Sequence, residues 1–144
     1  MCIRDRSKAW FVGVQEFRAL KSDLPDSLTL IKGWHFDLHA AERKGYSGVA
    51  YYAKSKPDHV ETTMGVEDFD KEGRVQIVHF GKLTLANVYF PNGSGKNRDH
   101  SRVPYKLEFY QTLFALLEHH RKSCLLYTSP SPRDATLSRM PSSA

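Results

Sequence analysis

Short apolar runs, separated by turn-forming residues, occupy most of the first ninety positions of the chain. Runs of this length that are rich in β-branched and aromatic residues are typical of strands. The pattern predicts strands over the ranges 9–16, 34–39, 49–55, 74–80 and 82–90. Only Gly81 separates the last two ranges, so they are expected to form a hairpin.

A single amphipathic helix is predicted after the strands. Pro104 suits the first turn of a helix, where a missing N–H costs nothing. From Tyr105 onward, apolar residues follow the helical period at Leu107, Phe109, Tyr110, Leu113, Phe114, Leu116 and Leu117. One helix covers one face of a sheet. The predicted α/β (α+β) domain therefore needs a further layer on the other face.

The two ends of the chain lack this periodic pattern. The stretch 124–144 is rich in Ser, Pro and Arg and has no apolar face to bury. Residues 1–6 and 124–134 can each be written in the codons of one transposase-type sequencing adapter. We therefore predict an adapter-derived scar at 1–6 and an adapter-derived disordered tail at 124–144. An ordinary disordered terminus is the alternative for the tail.

Charge and cysteine usage narrow the class of protein. The formal net charge is +5, and each of the two ends contributes +1, which leaves +3 for 7–123. This mild basicity permits a polyanionic partner. Both cysteines, Cys2 and Cys124, lie in the ends, so 7–123 can form neither a disulfide nor a zinc–thiolate site. That usage fits an intracellular protein. No apolar run is long enough to span a membrane.

Several polar residues stand where the predicted strands begin or end. Glu16 could hold Mg²⁺ through its carboxylate, or it could be a solvated strand-end glutamate. Gly45 and Tyr46 could let the backbone approach a phosphate, or they could form a plain tight turn. Arg74 could pair with a phosphate, or it could be a surface arginine.

The long charged loop after the last strand offers further candidates. Tyr89 could donate a hydrogen bond to a charged oxygen, and Asn92 could add a neutral donor. Otherwise, Tyr89 is a core aromatic residue with its hydroxyl in water. Asp99–His100 could act as an acid–base pair, but the pair lies in a flexible charged loop with no structure to orient the two side chains. The pair His119–His120 is expected to interact with the helix dipole or to have no role.

Five segments, taken in order, carry a resemblance to a known family. They are "VQE", "AERKGYSGVA", "VEDFDKEGRV", "NVYFPNG" and "RVPYKLEFY". They resemble the exonuclease III and apurinic/apyrimidinic endonuclease family of the endonuclease/exonuclease/phosphatase superfamily. The resemblance implies a two-sheet α/β sandwich, here partial and truncated at both ends. It also implies a DNA-repair nuclease that uses Mg²⁺ or Mn²⁺ to hydrolyse phosphodiesters at abasic sites and 3′ ends of duplex DNA.

The resemblance also assigns roles to individual residues. Glu16 matches the metal-holding glutamate, Tyr89 the catalytic tyrosine, and Asn92 a donor to the phosphate. The implied DNA contacts are Gly45, Tyr46, Arg74 and, near the family's duplex-probing arginine, Lys96 and Arg98. One departure is Phe17–Arg18, which stands where the family usually has Thr-Lys.

Three family motifs are absent: an early Asn-x-Asn-Gly, a Gly-Asp-x-Asn after the helix, and a late Ser-Asp-His. The last two supply the general base and the histidine that stabilises phosphate charge. We therefore expect 7–123 to be the N-terminal part of such a domain, inactive alone. The expected whole is a monomeric, cytoplasmic, bacterial-type enzyme. Two alternatives stay open: a non-catalytic nucleic-acid-binding fragment, and a phosphatase or sphingomyelinase branch of the superfamily.

Overall fold

The structure is a computed structural model that describes residues 9–94, 99–121 and 125–128. The predicted scar at 1–6, the residues Lys96 and Arg98, and most of the predicted tail lie outside these ranges. In the part of the chain that is described, no helix has the length and the apolar character needed to cross a membrane.

The first sheet contains three of the predicted strands. They are β1 (Phe11–Gln15), β2 (His35–His39) and β3 (Val49–Ala53), and their order in the sheet is β1-β3-β2. Both pairings are antiparallel. The prediction of these three strands is confirmed, with each strand one to three residues shorter than its predicted range.

The second sheet has four strands in the order β4-β5-β6-β7. These are β4 (His59–Glu61), β5 (Val75–Phe80), β6 (Leu83–Val88) and β7 (Leu125–Thr128). The predicted hairpin of β5 and β6 is confirmed. Strand β4 was not predicted, because a three-residue strand with one apolar residue has no detectable period.

Strand β7 lies within the stretch that the sequence predicts to be a disordered tail. The structure instead pairs Leu125–Thr128 with β6 in parallel register. Its sequence, Leu-Leu-Tyr-Thr, is apolar and β-prone, and it lies along the edge of β6 that β5 leaves open. The structure therefore departs from the prediction at these four residues. The adapter origin of the tail is a separate matter and stays a prediction.

The remaining elements are helical. The long helix α3 (Val103–Arg121) confirms the predicted helix and begins two residues before Tyr105. A 3₁₀ turn at Lys21–Asp23 and two four-residue helices, α1 (Asp26–Thr29) and α2 (Glu67–Asp70), lie between the predicted strands.

The second sheet lies between the first sheet and α3. On one of its faces, Val75, Ile77, Ala86 and Val88 pack against Phe109, Leu113 and Leu117 of α3. On the other face, Val78 packs against Tyr51 and Ala53 of the first sheet. The first sheet is thus the further layer that the sequence requires, and the two-sheet sandwich is confirmed.

The buried face of α3 is narrower than its apolar pattern suggests. Phe109, Leu113 and Leu117 are buried, whereas Leu107 and Phe114 are 56% and 61% exposed. A spacing of four residues follows the axis of the helix closely, so this row forms the centre of the buried face, and Tyr105 and Leu116 pack beside it while partly buried.

Candidate functional site

Antiparallel pairing brings the predicted site residues to one edge of the sandwich. The end of β1 faces the start of β3, and the N–H of Phe17 donates to the carbonyl oxygen of Gly48 at 2.9 Å. In the second sheet, the N–H of Tyr89 donates to the carbonyl oxygen of Arg74 at 2.8 Å. Residues far apart in sequence therefore meet at this edge, which we call the cavity end.

A cavity of about 670 Å³ opens at the cavity end. Five predicted site residues line it: Glu16, Tyr46, Arg74, Tyr89 and Asn92. Gly45 directly precedes the lining residue Tyr46, while Lys96 and Arg98 lie outside the described residues. Four cationic side chains line the cavity, Arg18, Arg74, Arg102 and Lys106, against the single carboxylate of Glu16. The balance of charge suits an anionic ligand.

Glu16 and Tyr89 both line the cavity, and the carboxylate lies close enough for its negative charge to act on the tyrosine hydroxyl. Burial and then the negative charge of Glu16 raise the pKa of Tyr89 above its ordinary value. The hydroxyl therefore keeps its proton at neutral pH and acts as a donor. Sequence reasoning placed these two residues in one site, and the structure brings them together.

The backbone of Glu16 is strained. Its φ is +58°, a left-handed conformation that non-glycine residues rarely adopt. Such a residue typically costs on the order of 1–3 kcal/mol and is kept where it serves a site. The side chain is 46% exposed and contacts the guanidinium of Arg18. The carboxylate is therefore accessible from the cavity.

Arg74 is buried rather than open to solvent. It is only 4% exposed, and its three nitrogens reach the carboxylate of Glu72, the carbonyl oxygen of Tyr89 at 3.1 Å and the hydroxyl of Tyr46 at 3.3 Å. In this arrangement Arg74 orients the two tyrosines. Its contact with a phosphate stays a prediction.

Glu72 and Arg102 complete a network around Tyr46 that sequence reasoning missed. Arg102 donates to the hydroxyl of Tyr46 at 2.9 Å and to the Oε1 of Glu72 at 3.1 Å. The hydroxyl of Tyr46 donates in turn to the Oε1 of Glu72 at 3.2 Å. Both residues lie inside segments that carry the family resemblance, so a signal for them was present in the sequence.

The charges in this network reinforce one another. Burial raises the pKa of the Glu72 carboxyl, but the hydrogen bonds and charges of Arg74 and Arg102 outweigh burial and hold that pKa below its ordinary value. The bond to Tyr46 raises the pKa of Arg102 against the effect of burial, and Glu72 adds to the rise. The network is thus ionised throughout the physiological pH range.

The cavity offers a partial set of ligands for a divalent cation. Mg²⁺ takes one or two protein carboxylates and completes its shell with water and substrate oxygens. Glu16 supplies one such carboxylate. The hydroxyl of Ser47, which lines the same cavity and is 3% exposed, has no hydrogen-bond partner among the described residues. A buried hydroxyl without a partner, in one cavity with an accessible carboxylate, fits a site that an oxygen-rich ligand completes.

The cavity lacks a general base within the described ranges. No aspartate or histidine of residues 9–94 or 99–121 lines it. Asp99 accepts hydrogen bonds from Ser101, and both Asp99 and His100 are exposed. The loop pair is therefore not a part of this cavity.

Several known proteins are similar to this chain in sequence or in fold. No protein-family model matches the chain. Recombination repair protein 1 of Drosophila melanogaster is 39% identical over 83 residues, which is 58% of this chain and 12% of that protein. Exodeoxyribonuclease III of Haemophilus influenzae is 31% identical over 117 residues, 78% of this chain and 43% of that protein.

A solved structure of similar fold is the 3′ phosphatase NExo from Neisseria, bound to a product DNA hairpin. Its TM-score is 0.69 at 23% identity, over 87% of this chain and 50% of that one. This likeness shows a shared fold. The chain spans less than half the length of the curated relatives that it matches. With its ordered motifs meeting at a single cavity, and with repair proteins and exodeoxyribonucleases as its relatives, this chain belongs to the exonuclease III and apurinic/apyrimidinic endonuclease family.

Proposed function

We propose that this chain carries the metal- and phosphate-binding part of a DNA-repair nuclease, which hydrolyses phosphodiesters at abasic sites and at 3′ ends of duplex DNA. The observation that supports this most is the placement of Tyr89 and Glu16 in one cavity with four cationic side chains. The relative of similar fold that is bound to a DNA hairpin adds support for a DNA substrate.

In the proposed mechanism, Tyr89 donates its hydroxyl proton in a hydrogen bond to an oxygen of the scissile phosphate. Asn92 supplies a neutral donor to the same group. A Mg²⁺ or Mn²⁺ ion held by Glu16 would stabilise the charge that develops on the phosphate oxygens. Binding of DNA before the reaction depends instead on the exposed cationic side chains, because many separate contacts neutralise the phosphates along the DNA backbone.

Arg74 and Glu72 do not act on the phosphate in this mechanism. They position the residues that do. Arg74 holds the backbone of Tyr89 and the hydroxyl of Tyr46, and Glu72 holds Arg74 and Arg102. Tyr46 is thereby fixed with its ring at the cavity, where it contacts the DNA strand. The network lets two aromatic side chains keep one orientation while the substrate enters and leaves.

The 144-residue chain by itself is expected to bind DNA without cleaving it. Activation of the attacking water needs a base, and the described residues bring no aspartate or histidine to the cavity. Residues that act as a catalytic unit lose activity in a strongly non-additive way. This is also the feature that favours the second candidate function, a non-catalytic nucleic-acid-binding module.

The proposal also includes the oligomeric state and the cellular location of the protein. We infer a monomeric protein in the cytoplasm, and the absence of cysteine from 7–123 supports only the cytoplasmic part of this inference. Size-exclusion chromatography with light scattering would measure the oligomeric state, and a stable dimer would contradict this part.

A cleavage assay with a matched pair of variants tests the function. The substrates are an abasic duplex and a phospholipid, and the enzymes are the 144-residue chain and a longer protein with the Gly-Asp-x-Asn and Ser-Asp-His motifs. The longer protein should cut only the duplex, only with Mg²⁺ or Mn²⁺, and not after Glu16→Gln. The control Glu67→Gln removes an equally charged but far more exposed carboxylate that contacts Lys71, and it should cut at the parent rate.

Two outcomes would contradict the proposal. Metal-dependent cleavage by the 144-residue chain, above the level of its Glu16→Gln variant, would show that the described residues suffice. Phospholipid hydrolysis by the longer protein, without cleavage of the duplex, would place the chain in another branch of the superfamily.

A further inference from the structure

A second group of metal-ligating side chains lies at the opposite end of the second sheet. It consists of Glu61 on β4, His79 on β5 and His120 on α3. Strand β5 runs from the cavity end to this group, so the two sites are separated by roughly 17 Å at about 3.3 Å per residue. We call this region the histidine end, because four of the seven histidines of the chain, His59, His79, His119 and His120, lie there.

The register of the sheet explains why these residues meet. Glu61 pairs with Ile77, and His79 follows two residues later on β5, so both side chains share the face of Ile77. That face is the one that α3 covers. The buried row of α3 ends at His120, which is 8% exposed. Three elements therefore point one ligand each at a common place.

The distances between the three ligand atoms suit a small metal ion after small shifts of the side chains. The Nε2 of His79 lies 2.7 Å from the Oε1 of Glu61, and the Nε2 of His120 lies 3.6 Å from its Oε2. One ligand atom from each residue lies within 4.8 Å of the other two. A tetrahedral ion with bonds of about 2.0–2.1 Å holds its ligand atoms roughly 3.3 Å apart.

A neighbouring hydroxyl orients the central ligand. The Oγ1 of Thr84, on the adjacent strand, lies 3.0 Å from the Nδ1 of His79. Metal-bound histidines commonly use their second ring nitrogen in this way, because the bond fixes the orientation and the tautomer of the ring. With Nδ1 held by Thr84, the Nε2 of His79 is directed at Glu61 and His120.

We propose that Glu61, His79 and His120 bind one divalent transition-metal ion of the Zn²⁺ class, with water as a fourth ligand. Two imidazole nitrogens and one carboxylate oxygen favour such an ion over Mg²⁺, which prefers oxygen ligands alone. The ion joins the C-terminal end of α3 to β4 and β5. It is a structural clamp, separate from the Glu16 cavity and independent of the proposed nuclease function.

Metal titration of the full 144-residue chain tests the site. In excess Mg²⁺, we expect one Zn²⁺ per chain by calorimetry, a higher Tm, and visible Co²⁺ absorption bands of four-coordinate intensity. His79→Gln and His120→Gln should weaken binding at least about 100-fold, and Thr84→Val about 10–100-fold. The matched controls, His59→Gln and His119→Gln, change histidines that adjoin the site without joining it, and they should bind like the parent.

Either of two results would overturn the proposal. The first is loss of affinity in His59→Gln or His119→Gln as large as that in His120→Gln, since the ion would then be held by dispersed histidines. The second is a wild-type Tm that is the same with and without Zn²⁺. This second measurement needs no variant, so it decides the question even if His120→Gln fails to fold.

Discussion

At both the cavity end and the histidine end, one carboxylate lies between two basic side chains, but the basic side chains are of different types. At the cavity end, Glu72 lies between Arg74 and Arg102, whereas at the histidine end Glu61 lies between His79 and His120. Each carboxylate joins elements that are distant in sequence. The difference is that a guanidinium cannot lose its proton in a protein, while an imidazole loses it near neutral pH.

Because of this difference, the cavity end suits an anionic ligand and the histidine end suits a metal ion. Permanent positive charge at the cavity end attracts anions such as a DNA phosphate at every physiological pH. At the histidine end the basic groups are imidazoles, and an imidazole binds a metal ion through the lone pair of a ring nitrogen. One sandwich can thus carry an anion site and a metal clamp at opposite ends of a single strand.

The largest expected difference between the two ends is in stability. Glu72→Gln leaves two arginines, one of them 4% exposed, without their carboxylate, and breaking a buried ion pair costs about 3 kcal/mol or more. Glu61→Gln without metal should cost under about 1 kcal/mol, because Glu61 is 31% exposed and its two partners are imidazoles, which carry no permanent charge. Urea unfolding of both variants measures the difference, and equal losses would show that the two carboxylates play the same part.

Two glycines allow a smaller test of how tightly each end is packed. Gly48 at the cavity end and Gly81 at the histidine end both have positive φ, at +92° and +56°. An added Cβ at Gly48 would lie 2.3 Å from the carbonyl oxygen of Phe17, whereas at Gly81 it meets nothing within 4 Å. Gly48→Ala should therefore cost about 2 kcal/mol or more. Gly81→Ala should cost only the backbone strain of about 1 kcal/mol.

Thermal unfolding of the two glycine variants, measured side by side, gives this comparison. A similar loss of Tm in both would mean that the close contact between Gly48 and Phe17 relaxes freely. The loop that carries Tyr46 would then be held less firmly than the network around Glu72 suggests.

The smallest expected effect is on the pH dependence of stability. The pKa of Glu72 is lower in the folded chain than its ordinary value of 4.5. The folded state therefore gains stability from this group above that value, and the gain is lost as the pH falls through the lower, folded pKa. Unfolding between pH 5 and pH 2 should show a steeper acid loss in the wild type than in Glu72→Gln. Parallel curves would contradict the contribution of Glu72.

Much of the fold followed from the sequence because its signals lie on regular elements. Five strands and the long helix have a period that their own residues reveal. Antiparallel pairing brings the strand ends at Glu16 and Tyr89 to the cavity end of their own sheets, and the packing of the two sheets places both residues in one cavity. The second layer was required by the pattern, although the pattern alone did not identify it. The first sheet supplies that layer.

Other features depend on tertiary contacts that leave no local pattern. Strand β4 is too short to have a period and exists because it pairs with β5. His119 and His120 are adjacent in sequence, yet only His120 is buried, because the helical period turns the two to different sides. Arg74 was expected at a phosphate, but its surroundings depend on Glu72, whose role follows only from the folded arrangement.

The central claim is that Tyr89 and Glu16 form the chemical site, with the hydroxyl of Tyr89 as a donor to the reacting phosphate. The most direct test is single-turnover cleavage of an abasic duplex by Tyr89→Phe, in a longer protein that carries the family's remaining motifs. Loss of one donor aimed at the reacting group should slow cleavage about 10²–10³-fold. Binding of the duplex should change much less, since many contacts share the phosphate load. Cleavage at the parent rate with saturating enzyme would contradict the claim, because Tyr89 would then be a structural aromatic residue.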